Sequence, residues 1–162
     1  MIAVSYTLIS EQVLSAPASS ITFSSIPQTY TDLVLECTVG QTPATTPNAG
    51  YMTFNSDTGT NYSRTSVNGN GSTAASNRTT SQTNIDPLVT TNTFAAHTIQ
   101  MLSYSNTNVY KTILVRYSDA PSNAGAQAGL WRSTAAISSL TLTLGASQSF
   151  AAGSTFRLYG VR

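Results

Sequence analysis

The chain has 162 residues, a formal net charge of +1 and only 8% charged side chains, and about 30% of it is serine or threonine. A length of this order suits one domain, residues 1–162, that buries a core without a disulfide or metal staple. There is no basic stripe to neutralise phosphates and no apolar run of about 18 residues to span a bilayer, so neither nucleic acid nor a membrane is an expected partner.

The first expected strand is Ser5 to Ile9, and the start, Met1 to Tyr6, lacks the basic and apolar regions of a secretory leader. Ser20 to Phe23 is the second. Leu33, Leu35, Cys37 and Val39 then fall on one face, with Glu36 and Thr38 on the other. Such a period of two belongs to a strand with one buried and one solvated face. Tyr51 to Asn55 and Asn61 to Val67 are shorter runs. They flank Ser56-Asp57-Thr58-Gly59, which reads as a four-residue hairpin connection. Phe94 to Leu102 and Val109 to Tyr117 alternate again, the latter with Ile113, Val115 and Tyr117 opposite Arg116. The clearest strand is Leu140-Thr141-Leu142-Thr143-Leu144. Thr155 to Val161 closes the series, and the turn residues between these last two runs make them expected neighbours.

No segment sustains a helical apolar period. The best helical candidate, Ala124 to Leu130, is spoiled by its glycines. Eight or nine short strands separated by turn signals predict an all-β, antiparallel β-sandwich, with a jelly roll the favoured form. Two connections are long. Gly40 to Gly50 carries Pro43 and Pro47. Asn68 to Thr93 opens on Asn68-Gly69-Asn70-Gly71 and leaves room for an edge strand near Ile85. Polar loops of this length carry many backbone groups that need partners, so one or both are expected to contact another protein chain.

The chemistry-bearing residues are few. His97 shares a strand face with Ile99 and Met101. A metal site needs several ligands, and this is the only histidine, so the expectation is a structural residue. A threefold assembly bringing three copies of His97 to its axis is the remote alternative. Cys37 lies on an apolar strand face and reads as a small buried hydrophobe. It cannot form an internal disulfide. Asp57, Asp86 and Asp119 fall in expected turns, where aspartate is at home. The Asn-Gly pairs lack the lysine and following helix of a phosphate cradle. No catalytic residue, cofactor or metal is therefore expected.

Aromatic residues and arginine are enriched at the centres of protein interfaces. On that ground Trp131 and Arg132, with Tyr51, Tyr62 and Arg64, are the candidate interface residues. The competing reading for each aromatic is burial in the sandwich.

Two phrases carry a resemblance: ITFSSIPQTYTDLVL from Ile21 to Leu35, and GSTFRLYGVR from Gly153 to Arg162. FNSDTGTNYS (Phe54 to Ser63) and GLWRSTAAISSLTL (Gly129 to Leu142) stand between them in order. Together they resemble a group of small virion proteins of tailed bacteriophages. The resemblance implies a jelly-roll-like sandwich without a catalytic site. It implies either a capsid decoration (cement) protein or a module at the tip of a tail fibre.

The absence of a reaching helix, coiled coil or repeat favours decoration. The expected partners are then the major capsid protein and two further copies of the chain in a homotrimer. The expected location is the outer capsid surface of a virion made in the bacterial cytoplasm. An unpaired cysteine suits that reducing compartment. The long polar loops and tyrosines support the alternative, a receptor-binding module for host glycan or protein.

Overall fold

The computed structural model describes residues 5–43, 48–90, 93–119, 123–145 and 148–162. Fourteen strands occur in them: β1 (Tyr6–Val13), β2 (Ser20–Phe23), β3 (Asp32–Val39), β4 (Gln41–Thr42), β5 (Asn48–Phe54), β6 (Tyr62–Gly69), β7 (Ala74–Gln82), β8 (Ile85–Thr90), β9 (Ala95–Leu102), β10 (Lys111–Asp119), β11 (Asn123–Trp131), β12 (Leu140–Leu144), β13 (Ser149–Phe150) and β14 (Thr155–Val161). No helix occurs among the described residues. Residues 1–4, part of the Gly40 to Gly50 connection and part of the turn after Leu144 lie outside them.

An eight-stranded sheet runs in the order β1-β14-β3-β9-β10-β11-β6-β7, and a four-stranded sheet in the order β2-β12-β5-β8. A two-stranded piece, β13-β4, completes the pairing, and every ladder is antiparallel. The two sheets form a β-sandwich. Period-two patterning decides the inner faces. Leu33, Leu35, Ile99, Met101, Ile113 and Leu158 of the large sheet meet Ile21, Phe23, Met52, Phe54, Leu140 and Leu142 of the small one, all buried. Their alternates Glu36, Thr38, Leu114 and Arg116 are exposed.

The strand readings hold, but the pairing departs from expectation in four places. Ser56-Asp57-Thr58-Gly59 is no hairpin, because β5 belongs to the small sheet and β6 to the large one. It carries the chain across the sandwich. The last two strands are likewise not neighbours: β12 lies in the small sheet and β14 in the large one.

The Ala/Gly stretch is strand β11. Its Gly125 is required by close packing, since a Cβ there would collide with the Tyr117 side chain. The long segment Asn68 to Thr93 is no loop. It holds β7 and β8, and β8 is an edge strand as the Ile85 pattern suggested. The Asn70-Gly71 step turns β6 into β7. Gly71 sits at φ +86°, and Asn70 Oδ1 accepts from the N–H groups of Ser72 and Thr73 at 3.0 and 2.8 Å.

The face assignment of β12 has a measurable consequence. Leu140, Leu142 and Leu144 are buried, whereas Thr141 is only half-buried and shares a 3.0 Å hydrogen bond with Thr22. Leu142→Ala is expected to cost about 2–5 kcal/mol by urea unfolding. Thr141→Ala should cost under about 1 kcal/mol.

Candidate functional site

Three of the five candidate interface residues are used inside the molecule. Trp131 ends β11 at 2% exposure and Tyr62 opens β6 at 0%. Directly opposed on the inner face, they stack at 6.3 Å between ring centroids and enclose Phe54, 5.4 Å from Trp131. Each polar end finds a partner in the crossing segment. Trp131 Nε1 donates to Asp57 Oδ2 at 2.7 Å, and Tyr62 Oη donates to the Asp57 carbonyl at 3.1 Å. Buried aromatic rings with satisfied polar ends fasten the fold.

Asp57 also accepts from Asn61 Nδ2 (2.9 Å) and from the Gly59 N–H (2.8 Å). Burial pushes its carboxyl up, but these hydrogen bonds and that from Trp131 outweigh it and hold the group below its ordinary value. Arg64 points inward and pairs with Asp86 of β8, so Asp86 is part of a strand-to-strand tie and not of a turn. Burial raises the Asp86 carboxyl, against the opposing pull of Arg64.

Arg132 is half-buried. It donates to the Thr60 carbonyl (2.8 Å), the Tyr62 carbonyl (3.3 Å) and Ser63 Oγ (3.1 Å), bracing the same crossing. Tyr51 lies half-buried on the small sheet, opposite Thr143.

Lys111, the only lysine, is another internal fastener. Its Nζ donates to the carbonyls of Asn106 (2.5 Å), Val109 (2.8 Å) and Thr134 (3.1 Å), and burial lowers its pKa. His97 stands on the inner face of β9, where its Nε2 accepts the N–H of Val89 in β8 at 3.0 Å. Cys37 is buried beside it and burial raises its thiol. Among the described residues no three His, Cys, Asp or Glu side chains gather as metal ligands.

The surface feature that sequence reasoning missed is the outer face of the large sheet, which no second layer covers among the described residues. Strand β11 presents Ala124, Ala126 and Ala128 outward, between larger residues on its neighbours. Small residues in the middle of a sheet leave a depression. Here it is a trough of about 580 Å³, floored by Ala126 and Ala128. Leu114 and Arg116 of β10 wall it on one side, Thr65 and Val67 of β6 on the other. Leu114 is 42% and Val67 54% exposed, high for large apolar side chains. A second hollow continues past Val67 and Ala126 to Ala74 and Ser76 of β7. The Ala-x-Ala-x-Ala alternation of Ala124, Ala126 and Ala128 was the available sequence signal.

One row of side chains across this face alternates in charge. Cross-strand register places Arg116, Thr98, Glu36, Arg157 and Glu11 in line, and Arg157 Nε donates to Glu11 Oε1 at 2.5 Å. Glu11 stands on β1, at the edge of the sheet. No protein-family model matches the chain, and no curated protein matches it.

The buried histidine makes stability depend on pH. Burial holds the His97 pKa down to about 4, below its ordinary 6.5, and protonating Nε2 would break the bond from Val89. The unfolded chain therefore binds the extra proton between these values. The stabilisation is complete above about pH 6.5 and falls away as pH drops towards 4. Urea unfolding should show a loss of about 2 kcal/mol between pH 7.5 and 5.0. His97→Gln, which keeps an acceptor but does not titrate, should flatten that slope.

Proposed function

We propose that this protein is a non-catalytic virion structural protein of a tailed bacteriophage, a decoration protein that binds and stabilises the outer capsid shell. The observation that carries the reading is the trough on the uncovered face of the large sheet. It has an apolar floor, polar walls of Thr65, Thr98 and Gln100, and one guanidinium, Arg116. An apolar centre with a polar rim suits contact with another protein.

The resemblance of its sequence phrases to phage virion proteins supplies the context, and the rigid antiparallel sandwich suits a particle surface. The jelly-roll derivation of the sandwich belongs to the same proposal. Its support is that the chain passes between the sheets repeatedly, at β1 to β2, β2 to β3, β5 to β6, β7 to β8, β8 to β9 and β11 to β12. The partners are the major capsid protein and two further copies in a homotrimer.

Binding of the purified protein to capsids that lack it tests the reading. Ala126 is exposed and its side chain supports nothing in the core. Ala126→Arg should leave the urea midpoint unchanged and lower capsid affinity at least about tenfold, by filling the trough with a charge. Trp131→Ala should instead cost about 3–5 kcal/mol of stability. Because the contact is mostly uncharged, wild-type affinity should change by no more than about threefold between about 0.1 and 0.5 M salt. Labelling confined to the tail would overturn decoration and favour the receptor-binding reading. Unchanged binding by Ala126→Arg would remove the trough from the interface.

A further inference from the structure

Exposed sheet edges invite pairing with other chains, and proteins that stay apart usually blunt them. Both edges of the small sheet are blunted. The edge strand β2 has four residues, and the Thr22 carbonyl accepts a hydrogen bond from Gln12 Nε2 at 2.9 Å. The other edge strand, β8, contains Pro87, which has no N–H to offer, and its Val89 N–H is taken by His97.

The edges of the large sheet are different. Strand β7 has nine residues, none of them proline or lysine, and eight of the nine are exposed. Its backbone bonds run to β6 alone among the described residues. Strand β1, at the opposite edge, pairs only with β14 there, and it exposes Tyr6, Leu8 and Val13.

We propose that β7 of one copy pairs antiparallel with β1 of a second copy, so that the large sheets of successive copies join edge to edge and close into a trimeric ring. Only the number three rests on the capsid reading above; the pairing rests on four features of the sheet.

The first is parity. Eight strands, each antiparallel to its neighbours, make β1 and β7 run in opposite directions. Placed side by side with the same face outward, they form an antiparallel ladder, the stronger kind. The second is charge. The outer row Arg116, Thr98, Glu36, Arg157, Glu11 ends on a carboxylate at the β1 edge. The β7 edge offers the outward-facing Arg78. Its one side-chain hydrogen bond among the described residues runs to Thr65 Oγ1, at 3.4 Å. Arg78 of a second copy continues the alternation.

The third is register. Setting Glu11 opposite Arg78 places Val13 opposite Ser76 and Gln12 opposite Asn77. It also sets the irregularity of β1 between Leu8 and Ser10 beside that of β7 between Thr79 and Gln82. Two bulges in phase leave the rest of the ladder regular. The fourth argues against a β7–β7 self-pairing. A twofold β7–β7 seam centred near Arg78 would bring two guanidiniums directly opposite or one diagonal step apart, which is destabilising.

The test uses the full chain in solution without capsids, so its result is independent of shell binding. Light scattering on the eluting wild-type protein should give three times the 17.0 kDa chain mass. Arg78→Glu or Glu11→Arg alone should shift it to a monomer that keeps the far-UV circular dichroism of the wild type. Its urea midpoint should be lower because the folded state loses its assembly, and lower still for Glu11→Arg, which sets a second cation opposite Arg157. The combined reversal should restore the trimer. Ala126→Arg, which alters the trough, should remain trimeric. Oxidised Val13→Cys/Ser76→Cys or Gln12→Cys/Asn77→Cys protein should give a covalent trimer in at least one case, since adjacent pairs alternate between wide and narrow spacing. A wild-type monomer, single reversals that assemble like wild type, or covalent dimers from Ser76→Cys alone would each overturn the pairing. An open-ended covalent ladder would overturn the ring.

Discussion

A four-stranded sheet can cover only part of an eight-stranded one. That mismatch in width sets where this molecule is dry and where it is wet. Under the small sheet the large sheet supplies Leu33, Leu35, Ile99, Met101, Ile113 and Leu158, all at 0% exposure. Beyond Tyr62 the inner face of β6 turns polar where β8 ends the cover: Arg64 pairs with Asp86 and donates to Ser66. At β7 neither face is covered, and the strand becomes Ala-Ala-Ser-Asn-Arg-Thr-Thr-Ser-Gln. Composition follows cover, strand by strand.

The same constraint explains how the few charged groups are spent. A sandwich whose chain keeps crossing between sheets needs its crossings fixed, because each leaves backbone groups outside any ladder. Asp57 gathers Trp131, Asn61 and Gly59 at the β5 to β6 crossing. Arg132 holds the carbonyls of Thr60 and Tyr62 from the other side. Lys111 ties the connection before β10 to Thr134 beyond β11. Charge-assisted bonds of this kind are roughly twice as strong as neutral ones.

Fold class and most strands could be read from the sequence because alternation is a local signal. Leu140-Thr141-Leu142-Thr143-Leu144 announces its own buried face. Which sheet a strand joins is not local. Ser56-Asp57-Thr58-Gly59 has turn chemistry whether the chain doubles back or crosses over, so β5 and β6 read as a hairpin and are not one. Strand β7 escaped notice for a related reason: with both faces solvated it has no apolar alternation to detect.

The aromatic interface candidates carry a different ambiguity. Trp131 and Tyr62 have the composition of a docking anchor and of a core, and only the position of β5 above them decides which. The trough was missed because it is made of what is small. Ala124, Ala126 and Ala128 mark a depression only when larger residues from β10 and β6 stand beside them, and that adjacency comes from register.

A surface of this kind constrains how it can bind. Long-range charge steering raises association rates where a field exists, and this chain has a formal net charge of +1. What its surface offers is short-ranged: backbone groups along two edges that pair with no other strand among the described residues, and apolar side chains beside a shallow trough. Each backbone bond contributes about 1 kcal/mol net, and each modest apolar contact a comparable amount. Neither gives tight binding alone. Many of them in one register can, because a strand that slips by one residue turns its whole outer set to the wrong face. Specificity then comes from repetition along a ladder, with no strong single anchor. A serine- and threonine-rich chain meets that requirement, since such residues keep the edges soluble while the branched threonines hold the backbone extended for pairing.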